Sequence, residues 1–378
     1  MPEKSVFACK KHLDTNLELT RQSMTLLKNN KLLPIDTKKV KKILVTGPNA
    51  DNIQAQYGDW TFFTHPNPEP NAVPETPYYT MKTGIENRAE KENIKVLYEK
   101  GCEIKGNDFS NVSKALEKAK ECDLIIAVIG DDVSQNGEQK DRSNLELSGI
   151  QNDFIKSLKE TGKPLVTILV NCKPLVFDKV LEYSDALLET FNSGMLGGTA
   201  AAEILFGDVN PSGKLPISFP RSTGQLPVYY NNFAGWHGGK YIDVEKEPLF
   251  PFGFGLSYTS FEYSNLKTSV NEFSKDTPFI DVFVDVKNTG KISGFETVQV
   301  YINDKISSIM TPVTELKAFE KVHLEPGEKK TVKLTIPVKE FFIVLPDNSY
   351  VLEEGEFEIM AGSDSIKAKE LSVTIKAI

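Results

Sequence analysis

The chain has 378 residues, 40% hydrophobic and 25% charged, and these globular proportions exclude a disordered, collagen-like or coiled-coil chain. At about 100–200 residues per domain, the length predicts two or three domains. The 52 Asp and Glu residues outnumber the 44 Lys and Arg residues, so the basic surface that nucleic-acid binding requires is not expected. No run of about 18 apolar residues predicts a transmembrane helix, so no membrane partner is expected.

Cysteine and histidine are sparse and scattered along the chain. The four cysteines lack the spacing of a zinc site and the four histidines are not paired at helical spacing, so no metal is expected. The first six residues contain no apolar stretch of a signal peptide. A complete chain would therefore be cytoplasmic, whereas a longer precursor would be compatible with a periplasmic or secreted protein.

Short apolar runs alternate with helix-period segments over residues 23–206. The runs are rich in β-branched residues and lack alternation, which is typical of strands buried on both faces of a sheet. The predicted strands are Ile43–Val45, Ile94–Leu97, Leu124–Ile129, Leu165–Val170 and Ala186–Leu188. The predicted helices are Val112–Glu121, Ser148–Glu160 and Gly198–Leu205. This order predicts a mostly parallel α/β/α sandwich.

Residues 259–378 show a two-residue hydrophobic period instead. The predicted strands are Ile280–Val286, Thr297–Tyr301, Thr331–Ile336 and Leu371–Ile375. Turn signals such as Asn288-Thr289-Gly290 separate them, so an antiparallel β-sandwich is predicted. Between the halves, residues 207–258 are rich in Pro, Gly and aromatic residues. A flexible linker would not carry so many aromatic residues, so this connector is predicted to be ordered.

The loop Gly130–Arg142 follows the third predicted strand and carries four carboxylates. In an open α/β sheet, ligands bind at the carboxyl ends of the parallel strands. A carboxylic acid there can protonate a leaving oxygen when its pKa is raised near the working pH, which makes Glu138 a candidate. The alternative is a set of solvated charges, with Asp141 and Arg142 forming a local ion pair. The pattern leaves both interpretations open.

Trp60 lies in the loop after the first predicted strand, at the same edge of the sheet. An exposed indole there would suit stacking on the apolar C–H face of a sugar ring. The alternative is that Trp60 fills the domain core. The serine nucleophile elbow, the P-loop, the HExxH zinc motif and the dinucleotide-binding glycine pattern are all missing from the sequence.

Taken together, motifs from residue 18 onward resemble glycoside hydrolase family 3. In the α/β half they are Leu26-Leu27-Lys28-Asn29, Val45-Thr46-Gly47-Pro48-Asn49-Ala50 and Gly137-Glu138-Gln139-Lys140-Asp141-Arg142. In the connector they are Leu205–Pro216 and Phe250–Tyr258. The last part is similar to the family's fibronectin-III-like domain through Val286–Gly290 and Leu324–Gly327.

The resemblance implies hydrolysis of β-glucosides or β-xylosides with retention, on a β-linked oligosaccharide or aryl glycoside. Retention uses two carboxyl groups about 5–5.5 Å apart, a nucleophile and an acid/base, and implies no cofactor. The family's motif implies that Glu138 is the acid/base. It also implies that Trp60, Asp141 and Arg142 bind the substrate. The usual Glu-Gly pair of the family here reads Glu138-Gln139.

The family's nucleophile comes from a (β/α)8 barrel of about 250 residues, for which residues 1–22 are too short. These residues are expected to be the remnant of an interdomain linker. The leading hypothesis is the C-terminal portion of a retaining β-glycosidase, inactive alone, with the barrel as partner in cis or in trans. The alternatives are a non-catalytic carbohydrate-binding or accessory module and an inactive truncation. An exposed apolar or aromatic patch near the Gly130–Arg142 loop is expected, and with it a homo-oligomer.

Overall fold

The computed structural model describes residues 6, 8–61, 64, 73–235 and 241–378. It divides the chain into two compact units: unit 1 contains residues 1–213 and 220–224, and unit 2 contains residues 214–219 and 225–378. Residues 236–240 of the predicted connector, and residues 1–5 and 7 of the predicted linker remnant, lie outside the described residues. Among the described helices, none combines the length and the apolar character needed to cross a membrane.

Unit 1 is built on a six-stranded sheet with the order β1-β6-β5-β4-β2-β3. Its strands are β1 (Thr25–Asn29), β2 (Lys42–Thr46), β3 (Lys95–Glu99), β4 (Leu124–Gly130), β5 (Leu165–Val170) and β6 (Ala186–Glu189). The central strands β4 and β5 are buried at every residue, as expected for strands covered on both faces. All neighbours are parallel except β1, which pairs antiparallel with β6. The predicted mostly parallel sheet is confirmed, with one antiparallel edge strand added.

The helices of unit 1 form two packed groups, one of α1, α3 and α7 and one of α4, α5 and α6. The α-helices among the described residues of unit 1 are α1 (Lys10–Ser23), α2 (Ile53–Tyr57), α3 (Met81–Glu90), α4 (Val112–Lys120), α5 (Gln151–Glu160), α6 (Asp178–Tyr183) and α7 (Gly197–Phe206). Helices α3 and α7 touch through backbone, because a Cβ placed on Gly84 would lie 2.1 Å from the carbonyl oxygen of Gly198. The small residues of α7 therefore allow the close packing of the two helices.

Helix α1 occupies most of the segment that the sequence assigns to a linker remnant. Arg21 donates from Nε and Nη2 to the two carboxylate oxygens of Glu203 on α7, each at 2.6 Å. Such a two-point bond between guanidinium and carboxylate is geometrically specific. Residues 10–23 are thus a packed part of unit 1.

Unit 2 contains a five-stranded sheet of order β11-β10-β15-β16-β8, a three-stranded sheet of order β12-β9-β7 and the pair β13-β14. Its strands are β7 (Phe261–Thr268), β8 (Glu272–Phe273), β9 (Phe279–Asn288), β10 (Gly294–Asp304), β11 (Glu315–Leu324), β12 (Lys329–Pro337), β13 (Ile343–Val344), β14 (Tyr350–Val351), β15 (Gly355–Gly362) and β16 (Ser372–Ala377). The pairings are antiparallel except that of β16 with the short β8. This confirms the predicted β-sandwich, and with it the α/β plus all-β fold class.

The core of the sandwich follows the two-residue period of its strands. Ile280, Val282 and Val284 on β9 are fully buried, together with Val298 and Val300 on β10. Side chains of alternate residues point to the same face of a strand, so this spacing directs one face of each strand into the core.

The predicted connector is divided between the units: residues 207–213 and 220–224 belong to unit 1, and the rest belong to unit 2. In unit 2, the Nε2 of Gln299 donates to the carbonyl of Gly253 at 3.1 Å. Gly253 has a φ of 83°, and a Cβ there would lie 2.1 Å from the amide oxygen of Gln299. Lys214 pairs with the buried carboxylate of Glu296 at 3.2 Å. These contacts tie the connector to the sandwich.

Candidate active site

The candidate site lies in unit 1, where the parallel strands β2, β4, β5 and β6 end. Each of these strands is followed by a loop, and the carboxyl edge of an open α/β sheet is where ligands bind. Buried hydrogen bonds connect these loops to one another. Asn49, after β2, is fully buried and donates from Nδ2 to the carbonyl oxygen of Asp131, after β4, at 2.9 Å. The edge is therefore a connected framework and not a set of independent loops.

A buried ion cluster fixes the loop after β4. The side chain of Asp131 is fully buried and its Oδ1 accepts from Nη1 of Arg142 at 2.9 Å. Its Oδ2 accepts from Nζ of Lys173, in the loop after β5, at 3.1 Å. Lys173 also donates to the carbonyl of Gln135 at 2.9 Å. One buried carboxylate thus joins both ends of the Gly130–Arg142 loop to the neighbouring loop.

Arg142 is bonded to groups other than Asp141. The side chain of Arg142 is only 15% exposed, and its guanidinium bonds Asp131, the carbonyl of Glu146 and the hydroxyl of Ser148. The proposed local pair of Arg142 with Asp141 is wrong, because the buried carboxylate of Asp131 takes the guanidinium instead. Asp141 itself is exposed. Arg142 therefore stabilises the conformation of the loop through these bonds.

Trp60 stands in the loop after α2 with 63% of its surface exposed, so it does not fill the domain core. Its φ is 60°, a left-handed conformation that is uncommon for a bulky residue. The turn before it is held in place: Asn192 donates from Nδ2 to the carbonyl of Ala55 at 2.9 Å, and a Cβ on Gly58 would lie 2.7 Å from the Asn192 amide carbon. The backbone that precedes the indole is held by the loop after β6.

Asp59 connects the loop of Trp60 to the loop of Glu138. A Cβ placed on Gly137 would lie 1.8 Å from Oδ2 of Asp59, so backbone and carboxylate are in direct contact. Oδ2 of Asp59 also lies 3.7 Å from Nζ of Lys140, and the Asp59 side chain is 7% exposed. Lys140 in turn donates to the carbonyl of Val133 at 2.6 Å. The residues before Trp60 and before Glu138 are therefore in contact.

Glu138 is exposed at the outer turn of its loop. It is flanked by Gly137 with a φ of 109° and Gln139 with a φ of 60°, both in the region that favours glycine. The backbone on both sides of Glu138 thus forms a tight turn. An exposed carboxyl group on a fixed loop, next to a loop that presents an indole, can exchange a proton with a ligand that lies against the aromatic ring.

Sequence reasoning missed Glu189, which ends β6 at the same edge. The residue is fully buried, and Oε1 accepts from the amide of Phe191 at 2.7 Å. Because burial disfavours the charged form, the pKa of Glu189 is raised to about 8. Its signal in the sequence was a charged residue directly after the apolar run Ala186–Leu188.

In the described part of the chain, no group of three or more His, Cys, Asp or Glu side chains is placed to hold a metal ion.

Two domain models of known families match the chain, one in each of its halves. Residues 24–258 match the model of the glycosyl hydrolase family 3 C-terminal domain, and residues 296–365 match that of the fibronectin type III-like domain. The chain belongs to glycoside hydrolase family 3.

The most similar relatives agree with this assignment. A β-xylosidase of Formosa agariphila is 39% identical over 97% of this chain and 50% of its own length. A periplasmic β-glucosidase of Salmonella typhimurium is 37% identical over 93% of this chain and 48% of its own length. The structure of a β-glucosidase involved in saponin metabolism from intestinal bacteria matches with a TM-score of 0.89 and 36% identity, over 98% of this chain and 55% of that one. The chain spans about half the length of the relatives that it matches.

Proposed function

We propose that Glu138 is the general acid/base of a retaining β-glycosidase, and that this chain is the C-terminal portion of that enzyme. The observation that carries the proposal is the contact between Asp59 and Gly137, which joins the loop of the exposed Trp60 to the loop of the exposed Glu138. A proton donor beside an aromatic platform suits a leaving group that is itself a sugar or an aryl ring. The β-xylosidase and β-glucosidase relatives support a β-glycoside as substrate.

The reaction has two steps in a retaining enzyme. In the first, a nucleophilic carboxylate attacks the anomeric carbon while Glu138 transfers its proton to the departing glycosidic oxygen. In the second, Glu138 removes a proton from water, and the resulting oxygen nucleophile displaces the enzyme carboxylate and restores the original anomeric configuration. Glu138 ends protonated again, and the sugar leaves with the oxygen of water.

Trp60 would stack on the leaving group in this arrangement, since its indole is exposed and its backbone is fixed. Asp141, exposed three residues after Glu138, would contact substrate hydroxyls. Arg142 would act without contacting the substrate directly, because its guanidinium is paired with the buried carboxylate of Asp131. Its contribution to substrate binding is then the placement of the loop that carries Glu138.

The nucleophile would come from a barrel domain, in cis or in trans. Asp59, which precedes Trp60, is a second carboxylate near Glu138. It is not suited to be the nucleophile, because it is nearly buried and lies against Gly137 and Lys140. A carboxylate in that position stabilises the loops and does not reach an anomeric carbon outside. The chain alone is therefore expected to be inactive.

The test is to assay nitrophenyl β-glucoside and β-xyloside with residues 1–378 alone and with the same residues joined to a barrel domain of the family. We expect no turnover in the first case and turnover in the second, which Glu138→Gln abolishes. Turnover by residues 1–378 alone, sensitive to Glu138→Gln, would contradict the need for a barrel. Full activity of the Glu138→Gln variant in the joined protein would contradict the assignment of the acid/base.

A non-catalytic carbohydrate-binding module remains the second candidate, because an exposed Trp60 on a fixed loop is also what a binding surface needs. Titration of residues 1–378 with cellobiose or xylobiose, compared with the Trp60→Ala variant, separates the two. Binding that depends on Trp60, without catalysis in the joined protein, would favour the module. Catalysis in the joined protein favours the acid/base role.

A further inference from the structure

Unit 2 contains a cleft of about 290 Å³ at the junction of the connector and the β-sandwich, close to the smallest size of about 300 Å³ typical of ligand pockets. Its lining comes from three parts of unit 2. They are residues 218, 225, 227–230, 232–235, 241, 246–248 and 251 of the connector, Val313 before β11, and residues 365, 366 and 369. We propose that this cleft is a second saccharide-binding site for a neutral sugar, independent of the site in unit 1; the choice of β-linked disaccharides rests on the proposed function.

Aromatic side chains form the wall of the cleft. Tyr229 lines it with 62% of its surface exposed. Beside it, Tyr230 is stacked on Phe252 with a ring separation of 4.2 Å and an angle of 15°, and meets Tyr301 edge-on at 6.2 Å. Aromatic rings offer a large, rigid and amphipathic surface, which suits the apolar C–H face of a sugar ring.

A polar group inside the cleft lacks a partner. Ser218 lines the cleft and is 3% exposed, and its hydroxyl has no hydrogen-bond partner among the described residues. A hydroxyl can donate one hydrogen bond and accept two, and a buried one that makes none is unfavourable. A sugar hydroxyl supplies a donor and an acceptor at once, so it would satisfy Ser218 after rotation of the serine side chain toward the cleft, where an apolar ligand would not.

The charges at the cleft favour a neutral ligand. Lys246 and Glu247 lie 3.9 Å apart, so a cation and an anion at the rim face each other. Lys369 also lines the cleft and is exposed, where water screens its charge. A strongly anionic ligand would need more unpaired cations than the lining offers.

The framework of the cleft is held by hydrogen bonds before any ligand arrives. Gln225 donates from Nε2 to the carbonyl of Glu245 at 2.9 Å, which joins two ends of the connector. The amide of Val313 donates to the carbonyl of Asn232 at 2.9 Å, and the amide of Ser365 to the carbonyl of Phe252 at 3.0 Å. A cleft that is already ordered loses less entropy on binding.

The experiment is a calorimetric titration of the full chain with cellobiose and with xylobiose. We expect saturable binding to the wild type and a rise in Kd of about tenfold in Tyr229→Ala, the change that removing one aromatic platform produces. Ser218→Ala should weaken binding by a similar factor while it leaves the thermal midpoint unchanged or higher, since it removes a buried hydroxyl without a partner. That pair of results separates lost recognition from lost folding.

Two variants serve as controls. Tyr350→Ala removes another exposed tyrosine of unit 2, on β14, and should leave binding unchanged. Trp60→Ala reports on unit 1 and should leave this site intact. Absence of binding, binding that is lost only in Trp60→Ala, or binding of a proline-rich peptide in place of either sugar would overturn the proposal. None of these results would change the assignment of Glu138.

Discussion

The carboxylate of Asp59 lies directly against the backbone of Gly137, so close that a Cβ on Gly137 would come within 1.8 Å of Oδ2 of Asp59. This contact links the loop that carries Trp60 to the loop that carries Glu138. Loops are the mobile parts of most folds, and a site assembled from two of them needs such links. The glycine is required both by space and by its φ of 109°.

We therefore expect Gly137→Ala to destabilise unit 1 by about 2 kcal/mol or more, from backbone strain together with the clash at Asp59. Urea unfolding measures the change. Gly162→Ala is the matched control, because Gly162 has a φ of 75° but nothing lies within 4 Å of a Cβ there. Equal losses in the two variants would show that strain alone, and not the contact with Asp59, sets the requirement for glycine.

Gln139 adopts a φ of 60° where the family's motif has glycine. The left-handed conformation is unfavourable for a side chain with a Cβ, by about 1–2 kcal/mol. Gln139→Gly should therefore stabilise unit 1 by about 0.5–1 kcal/mol, after the larger chain entropy of glycine in the unfolded state is subtracted. Asn93 has a φ of 55°, but asparagine tolerates this region, so Asn93→Gly should gain less. A loss of stability in Gln139→Gly would contradict the claim that the backbone at Gln139 is strained.

Asp131 compensates two cations in the buried ion cluster. Asp131→Asn would leave Arg142 and Lys173 facing each other without a carboxylate, and breaking a buried ion pair from one side destabilises by about 3–5 kcal/mol. Asp141→Asn, at an exposed position of the same loop, should change the free energy of unfolding by less than about 0.5 kcal/mol. Denaturant unfolding of both variants measures the difference. Similar small effects at the two positions would refute the structural role of Asp131.

The raised pKa of Glu189 predicts a specific pH dependence of the free energy of unfolding. The folded state keeps the proton up to about pH 8, whereas the unfolded state releases it near the ordinary pKa of 4.5. The unfolded state then binds fewer protons between these values, so stability falls as pH rises through this window, by up to about 1.4 kcal/mol per pH unit. Glu189→Gln keeps an acceptor for the Phe191 amide and has no proton to lose.

We expect Glu189→Gln and the wild type to have similar stability near pH 4.5, and the variant to be the more stable near pH 8. Urea unfolding across this range measures the two profiles. Glu146→Gln, an exposed glutamate of unit 1, should run parallel to the wild type. Parallel profiles for Glu189→Gln as well would mean that Glu189 titrates alike in the folded and unfolded states.

The elements that could be predicted from sequence are those whose burial follows from their own composition. The run Leu124–Ile129 predicted β4 because a short apolar run that is rich in β-branched residues and lacks alternation is typical of a strand covered on both faces. Strand β1 and helix α1 lack this signal. Thr25–Asn29 became an edge strand by pairing with β6, and α1 is held through the bond of Arg21 to Glu203, 182 residues away. Such distant partners leave no local pattern.

The residues proposed for the site depend on both local and distant signals. A loop rich in carboxylates at the sheet edge indicated Glu138, and the resemblance added its role. The sequence could not tell which of the loop's acidic residues is buried, because Asp131 is distinguished only by Arg142 and Lys173 folding onto it. Asp59 likewise gains its role from contact with Gly137, which is 78 positions away in the chain.

The central claim, that Glu138 transfers the proton, is tested most directly by the leaving-group dependence of Glu138→Gln in the protein joined to a barrel domain of the family. Cleavage of glycosides with poor leaving groups should fall by about 10²–10⁴-fold. Dinitrophenyl glycosides, whose leaving group needs no proton, should still be cleaved. Azide should restore turnover as a β-glycosyl azide, while Glu146→Gln behaves as wild type. An equal loss for all leaving groups without azide rescue, or no loss at all, would contradict the account.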